Sequence, residues 1–403
     1  MTRVRVNLKT NKSSSKFLFG VKILSAVTSF ILIPIVLKIC GPELWMQVAT
    51  LQTIAIILSP LIRLHWSKFG GLTLSQNQEV NHKRIILHSI LSRLIVLTLV
   101  NIIAIYLLYV YFNSENSGLL YSAFFFASTA ALSNEWYFLA KSDFRGFLLM
   151  ESIPRFVCTC APVAFIQTVN QLTILFVALA FVNIGTSLII LKNFKSNSTV
   201  SVIHEHSNKE KSKFIALQFL AFAILFSPVP IVNLFNFHDK FEFTIMERFF
   251  RLFMTAILPI SQLAHSQILN AKNMLRVSRE WYRKSKLLAI GILVLYFPSS
   301  FLFLLITSET ELVVSRRLMF SLFGILILIT FTNRIIEELF VLNLNRMALI
   351  NSMQGFNILL LLSSFTFSII FRSSNALLMA LILAELARFW LMKRKLILAG
   401  LID

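Results

Sequence analysis

Of 403 residues, 57% are hydrophobic and only 14% are charged, and the mean hydropathy is +0.76. That balance excludes a soluble globular chain, in which about a quarter of residues are charged. The net charge of +20 does not indicate a nucleic-acid partner, because the basic residues gather in short segments between apolar stretches.

The chain opens on a basic segment, 1–16, that carries Arg3, Arg5, Lys9, Lys12 and Lys16. Apolar stretches follow, each of the ~20 residues that a helix needs to cross a hydrocarbon core about 30 Å thick. They predict spans near 17–39, 44–66, 85–112, 119–140, 147–168 and 171–191. The first contains Lys22 and Pro34 and lacks a small-residue cleavage site, so it is expected to remain as a helix. A Ser-, Asn- and Lys-rich stretch, 192–213, reads as a linker. Six more spans are predicted near 214–235, 243–266, 286–307, 318–342, 348–371 and 376–392, before a basic tail, 393–403.

With the N-terminus inside, about 25 Lys and Arg fall in inner segments and about four in outer ones. Both termini are therefore expected on the cytoplasmic side. Ile33-Pro34-Ile35-Val36 in the first span matches Val229-Pro230-Ile231-Val232 in the seventh. Ile57-Leu58 followed by Pro60 matches Ile257-Leu258-Pro259 one span later, at nearly the same offset. The order predicts a duplication, with an all-α architecture of about 12 transmembrane helices in two six-helix bundles, 17–191 and 214–392. Parallel internal repeats and proline-bent helices are common in transporters. Pro34, Pro228 and Pro230 are the candidate hinges, with static kinks as the plainer reading.

A charge at the centre of a span costs roughly 2.5–3.5 kcal/mol, so such residues face protein or water. Glu151 with Arg155 and Glu247 with Arg251 stand at i,i+4. Arg334 precedes Glu337 and Glu338, and Glu385 precedes Arg388. A structural ion pair is the default reading for each. Arg93 has no carboxylate within a helical turn, Arg63 stands near the end of its span, and Arg248 has only Glu247 beside it, on another face. Planar guanidinium groups suit phosphate. Arg93, Arg63, Arg155, Arg248, Arg251 and Arg334 are thus the candidate substrate-binding cations of a cavity between two bundles. Three cysteines without metal-ligand spacing, and His204-Glu205-His206 in the linker, give no strong metal or cofactor signal.

Several islands resemble one family. They are Gly20-Val21-Lys22 leading to Ile33-Pro34-Ile35-Val36, Cys40-Gly41-Pro42-Glu43-Leu44, Asn134-Glu135-Trp136-Tyr137-Phe138 with Arg145 and Pro154-Arg155, and Glu247-Arg248-Phe249 through Pro259. Together they are similar to the O-antigen (Wzx-like) branch of the multidrug/oligosaccharidyl-lipid/polysaccharide flippase superfamily. Leu44-Trp45-Met46 and Leu139-Ala140-Lys141 depart from the family's usual residues. The resemblance implies no enzyme but a flippase of the bacterial inner membrane. Its substrate is expected to be a polyprenyl-pyrophosphate-linked oligosaccharide, moved from the inner to the outer leaflet by alternating access, with other polysaccharide-assembly membrane proteins as further partners. Glu135, Glu247 or Glu337 could couple transport to an ion gradient. The rival readings are a small-molecule or drug exporter of the same fold, and a membrane polysaccharide polymerase or acyltransferase. The polymerase is disfavoured by outer segments of about ten residues or fewer.

Overall fold

The computed structural model describes residues 12–66, 70, 82–111, 116–141, 143–193, 226–269, 274–306, 317–336 and 369–398, with scattered residues in 211–223 and 358–366. All regular structure among them is helical. Six runs are long and apolar enough to cross a membrane: Phe17–Arg63, Lys83–Val110, Phe144–Val163, Val169–Ile189, Arg276–Phe301 and Ser374–Arg394. Most of the expected eleventh span, the end of the tenth, and most of the linker lie outside the described residues.

Helix α1, Lys12–Arg63, covers the first two spans. Its apolar run of 47 residues would reach about 70 Å at 1.5 Å per residue, more than twice the hydrocarbon thickness. The helix breaks at a kink at Gly41, where φ is 71° and ψ 172°. An L side chain resists that backbone conformation, and glycine does not. Pro42 then starts the second arm at a position where its missing N–H is no loss. The break in α1 falls at Gly41, whereas Pro34 lies within helical backbone.

Helix α2, His82–Tyr111, is the third span. The fourth is not one helix, as its apolar sequence predicts, but three pieces: α3, Ser117–Thr129, a 3₁₀ turn at Ala130–Leu132, and α4, Glu135–Lys141. The fifth starts in α5, Phe144–Phe147, passes through a π-helical turn at Leu148–Ser152, and continues as α6, Ile153–Val163. Thr168 and Gln171 form a capping box at the start of α7, Val169–Ile189. Each side chain there satisfies an N–H that the first turn leaves unpaired.

The chain divides into two compact units, Met1–Pro230 and Ile231–Asp403. In the first, α3 packs on α1 and α7, with α2 and α6 against the same core. Trp66, Ile86, Ile90, Trp136, Phe138 and Phe147 form one of its apolar clusters. Helix α8, Pro228–Leu234, begins on Pro228 and has Pro230 as its third residue. Both prolines fall in the first turn, where they remove no helical hydrogen bond. Helical residues also stand just upstream, where the Ser227 N–H donates to Ala223 O at 2.9 Å, so the prolines follow an interruption of the helical path. The second unit contains α9, Lys240–Leu269, α10, Met274–Ile306, α11, Arg317–Ile336, and α12, Ser374–Leu398. Helix α11 packs on α9, α10 and α12, around an aromatic core of Phe243, Phe249, Tyr296, Phe320 and Phe323.

Candidate functional site

The interruption of the fourth span organises the most polar region of the first unit. Ser133 takes extended geometry, φ −50° and ψ 137°, so the helical bonds stop there, and bare backbone groups inside a membrane protein need other partners. Side chains from three other elements supply them. From α2, Arg93 donates through Nη1 to the carbonyls of Leu132 at 3.0 Å and Ser133 at 2.9 Å, through Nη2 to Asn134 Oδ1 at 2.7 Å, and through Nε to Ser89 O at 3.0 Å. From the π turn, Glu151 accepts the Asn134 backbone N–H at 2.9 Å and the Ser133 hydroxyl at 2.7 Å. From α7, Ser187 Oγ donates to Leu132 O at 3.0 Å, while Ser187 O accepts from Asn134 Nδ2 at 3.0 Å. Arg93 and Glu151 are each 1% exposed.

This placement corrects the expectation that Arg93 faces a substrate cavity. Its guanidinium is buried and committed to protein acceptors, so Arg93 braces a broken helix.

A more accessible tier surrounds the brace. Arg155 pairs with Glu151 at 3.1 Å, at the i,i+4 spacing read from the sequence, and approaches Thr186 Oγ1 at 3.4 Å. Its side chain is 23% exposed, and its buried Nε has no hydrogen-bond partner among the described residues. Lys22, on the first arm of α1, meets Glu135 at 2.5 Å. Arg63, half-buried at the end of the second arm, lies within electrostatic reach of Glu135 and Arg155. Its position is held by Leu64, which takes a left-handed φ of 55° while donating to Pro60 O at 3.0 Å. In this one region four cations, Lys22, Arg63, Arg93 and Arg155, stand with two carboxylates, Glu135 and Glu151. The uncompensated charge is positive.

Lys22 and Asn134 were not singled out as site residues from the sequence. Lys22 carried a signal, since a lysine inside an apolar span needs a partner. The Ser133-Asn134 pair is likewise a turn and capping signature.

The second unit is organised differently. Glu247 and Arg251 form an i,i+4 ion pair on α9, and Glu247 is 3% exposed. Arg248 sits half-buried between them in sequence. Asn333 on α11 donates through Nδ2 to Glu385 O at 2.9 Å and to Glu385 Oε2 at 2.5 Å, and Arg388 approaches Glu385 Oε1 at 3.4 Å. Arg334 lies on α11 with its side chain outside the described residues, as is Glu337 entirely. No cluster of His, Cys, Asp or Glu suited to a metal ion occurs among the described residues.

Two solved structures are similar over nearly the whole chain. The eukaryotic MATE transporter AtDTX14 superposes with a TM-score of 0.62 at 13% identity, over 96% of this chain and 95% of that one. A mutant of the Vibrio cholerae MATE transporter VcmN superposes with a TM-score of 0.52 at 13% identity, over 97% and 99%. No protein-family model matches the chain, and no curated protein is similar to it in sequence. The chain is therefore an all-helical, multi-pass membrane protein with the fold of MATE transporters. At 13% identity the likeness is one of fold alone.

Proposed function

We propose that this chain is a transporter that moves a polyprenyl-pyrophosphate-linked oligosaccharide from the inner to the outer leaflet of a bacterial inner membrane. The observation that carries this reading is the cationic tier around the broken fourth span. Arg63 and Arg155 lie within electrostatic reach of one another, Arg63 half-buried and Arg155 partly exposed, in a region where cations outnumber carboxylates. Guanidinium groups in that setting suit an oxygen-rich anion such as a pyrophosphate. Under the positive-inside rule these residues lie near the cytoplasmic surface, where a lipid-linked substrate is first met. In this reading Arg63 and Arg155 receive the anion, and Arg248, Arg251 and Arg334 play the corresponding part in the second unit. Glu135, already paired with Lys22, is the first choice for ion coupling, ahead of Glu247 and Glu337. Alternating access follows from a ligand that favours one of two states.

A second reading, export of a small molecule, is favoured by the likeness to MATE transporters. Sidedness of the lipid-linked sugar in depleted cells separates the two. Accumulation of the lipid-linked oligosaccharide on the inner leaflet, with surface polymer lost, supports the flippase. Normal surface polymer together with new sensitivity to small toxic molecules supports the exporter and removes the flippase reading.

A further inference from the structure

Helix α10 carries one continuous exposed stripe at alternating three- and four-residue spacing. Toward its C-terminal end the stripe is Leu287, Ile290 and Val294, which are 74%, 60% and 66% exposed. On a membrane-spanning helix those side chains face acyl chains. Toward the N-terminus the same stripe continues as Arg276, Arg279, Arg283 and Lys284, all exposed, with Glu280 as its one acid. The opposite face keeps its burial along this basic stretch, with Ser278 3%, Tyr282 9% and Ser285 0% exposed. The basic turns are thus held against protein and aimed where the lipid-facing residues are aimed.

Depth follows from helix geometry. Arg283 and Lys284 precede Leu287 by about 4.5–6 Å of helix rise, which is the depth of the polar headgroup layer, roughly 5–8 Å per leaflet. Arg279 lies about 12 Å below Leu287, at the aqueous margin of that layer. Lys284 Nζ stands 5.7 Å from the centroid of the Trp281 ring, an aromatic of the kind that settles at membrane interfaces. Helix α12 repeats the pattern in the reverse chain direction. Its exposed stripe passes Leu383, Leu386 and Trp390 before Arg394, whose guanidinium carbon is 5.4 Å from the Trp390 ring centroid.

We infer that the N-terminal turns of α10 form a binding site for the headgroups of anionic glycerophospholipids in the inner leaflet, with Arg283 and Lys284 as its phosphate contacts. The site takes bulk lipid, and none of its residues belongs to the cationic tier.

Native mass spectrometry of the detergent-purified full chain tests it, with phosphatidylglycerol and phosphatidylcholine of identical acyl chains as probes. The wild type should retain phosphatidylglycerol at least about tenfold more strongly. Each basic side chain near an anionic surface contributes roughly fivefold, so Arg283→Gln/Lys284→Gln should weaken phosphatidylglycerol by up to about 25-fold. Phosphatidylcholine binding and the melting temperature should stay unchanged. Lys209→Gln/Lys211→Gln makes the same charge change in the linker and should leave the preference intact. Equal binding of the two lipids by wild type, undiminished binding by the α10 variant, or an equal drop with the linker variant would overturn the site. Displacement of phosphatidylglycerol by micromolar inorganic pyrophosphate would also overturn it, and would reassign the face to the transported headgroup.

Discussion

Replacing Arg93 by methionine keeps the length and apolar stem of the side chain and removes its charge and donors. Of the four acceptors that Arg93 serves, Leu132 O retains the Ser187 hydroxyl, and Ser89 O is a carbonyl within α2. Ser133 O and Asn134 Oδ1 lose the guanidinium, and an unsatisfied buried acceptor costs about 1–3 kcal/mol. Glu151 loses a neighbouring cation but keeps Arg155 at 3.1 Å, the Asn134 N–H and the Ser133 hydroxyl. The charge penalty therefore stays below the about 3–5 kcal/mol typical of a buried ion left alone. The two stranded acceptors alone come to about 2–6 kcal/mol, large enough to lower the yield of folded protein. Arg93→Lys retains the charge but cannot span acceptors with a planar fork, and should lose about 1–2 kcal/mol. Thermal unfolding in detergent, followed by size-exclusion chromatography, reads both. An Arg93→Met protein that melts like wild type yet fails to transport would refute the brace and return Arg93 to substrate contact.

Arg63→Gln and Arg155→Gln should each reduce transport of the lipid-linked sugar, with Arg63→Gln leaving the melting temperature unchanged because Arg63 is half-buried; equal transport by both variants and wild type would remove the cationic tier from the mechanism. Lys22→Met and Glu135→Gln should each weaken the protein, and the double variant should lose less than the sum of the two, since both singles break the same part-buried pair at 2.5 Å. Additive losses in that cycle would show that the pair is not coupled. Gly70→Ala would place a Cβ 2.7 Å from the Trp136 ring, and overpacking of this kind costs about 1–3 kcal/mol. Unfolding measurements on that variant should show the loss, and Trp136→Leu should recover part of it.

Much of the architecture was legible because bilayer thickness imposes a length on every span. Glu151–Arg155 and Glu247–Arg251 were legible for a similarly local reason, the four-residue spacing along one helix face. The interruption of the fourth span was not. Its apolar flanks read as continuous helix, and Ser133 and Asn134 alone are too few polar residues to stop the pattern. The groups that compensate the break lie on α2, the π turn and α7, far away in sequence. Two of the acceptors that fix Arg93 are backbone carbonyls at Leu132 and Ser133, which leave no mark in the residue types. Lys22 and Glu135, 113 positions apart, were invisible as a pair for the same reason. Reading Arg93 as a cavity cation followed from the absence of a nearby carboxylate, whereas the structure answers that absence with carbonyl oxygens and an amide.

The cross-bracing at Ser133–Asn134 constrains how this chain can diverge. Asn134 offers an acceptor to Arg93, a side-chain donor to Ser187 O and a backbone donor to Glu151. An aspartate there would lose the donor and set a second negative charge beside Glu151. A leucine would remove one of the four acceptors of Arg93 and the side-chain donor to Ser187 O. Arg93, Asn134 and Glu151 each make bonds there that few other side chains reproduce, whereas threonine at Ser133 or Ser187 retains the hydroxyl, so the first three positions should change least freely. Lipid-facing positions such as Leu91 and Ile95 accept almost any apolar residue. Sequence drift can then be fast over most of the surface and nearly frozen at one buried crossing.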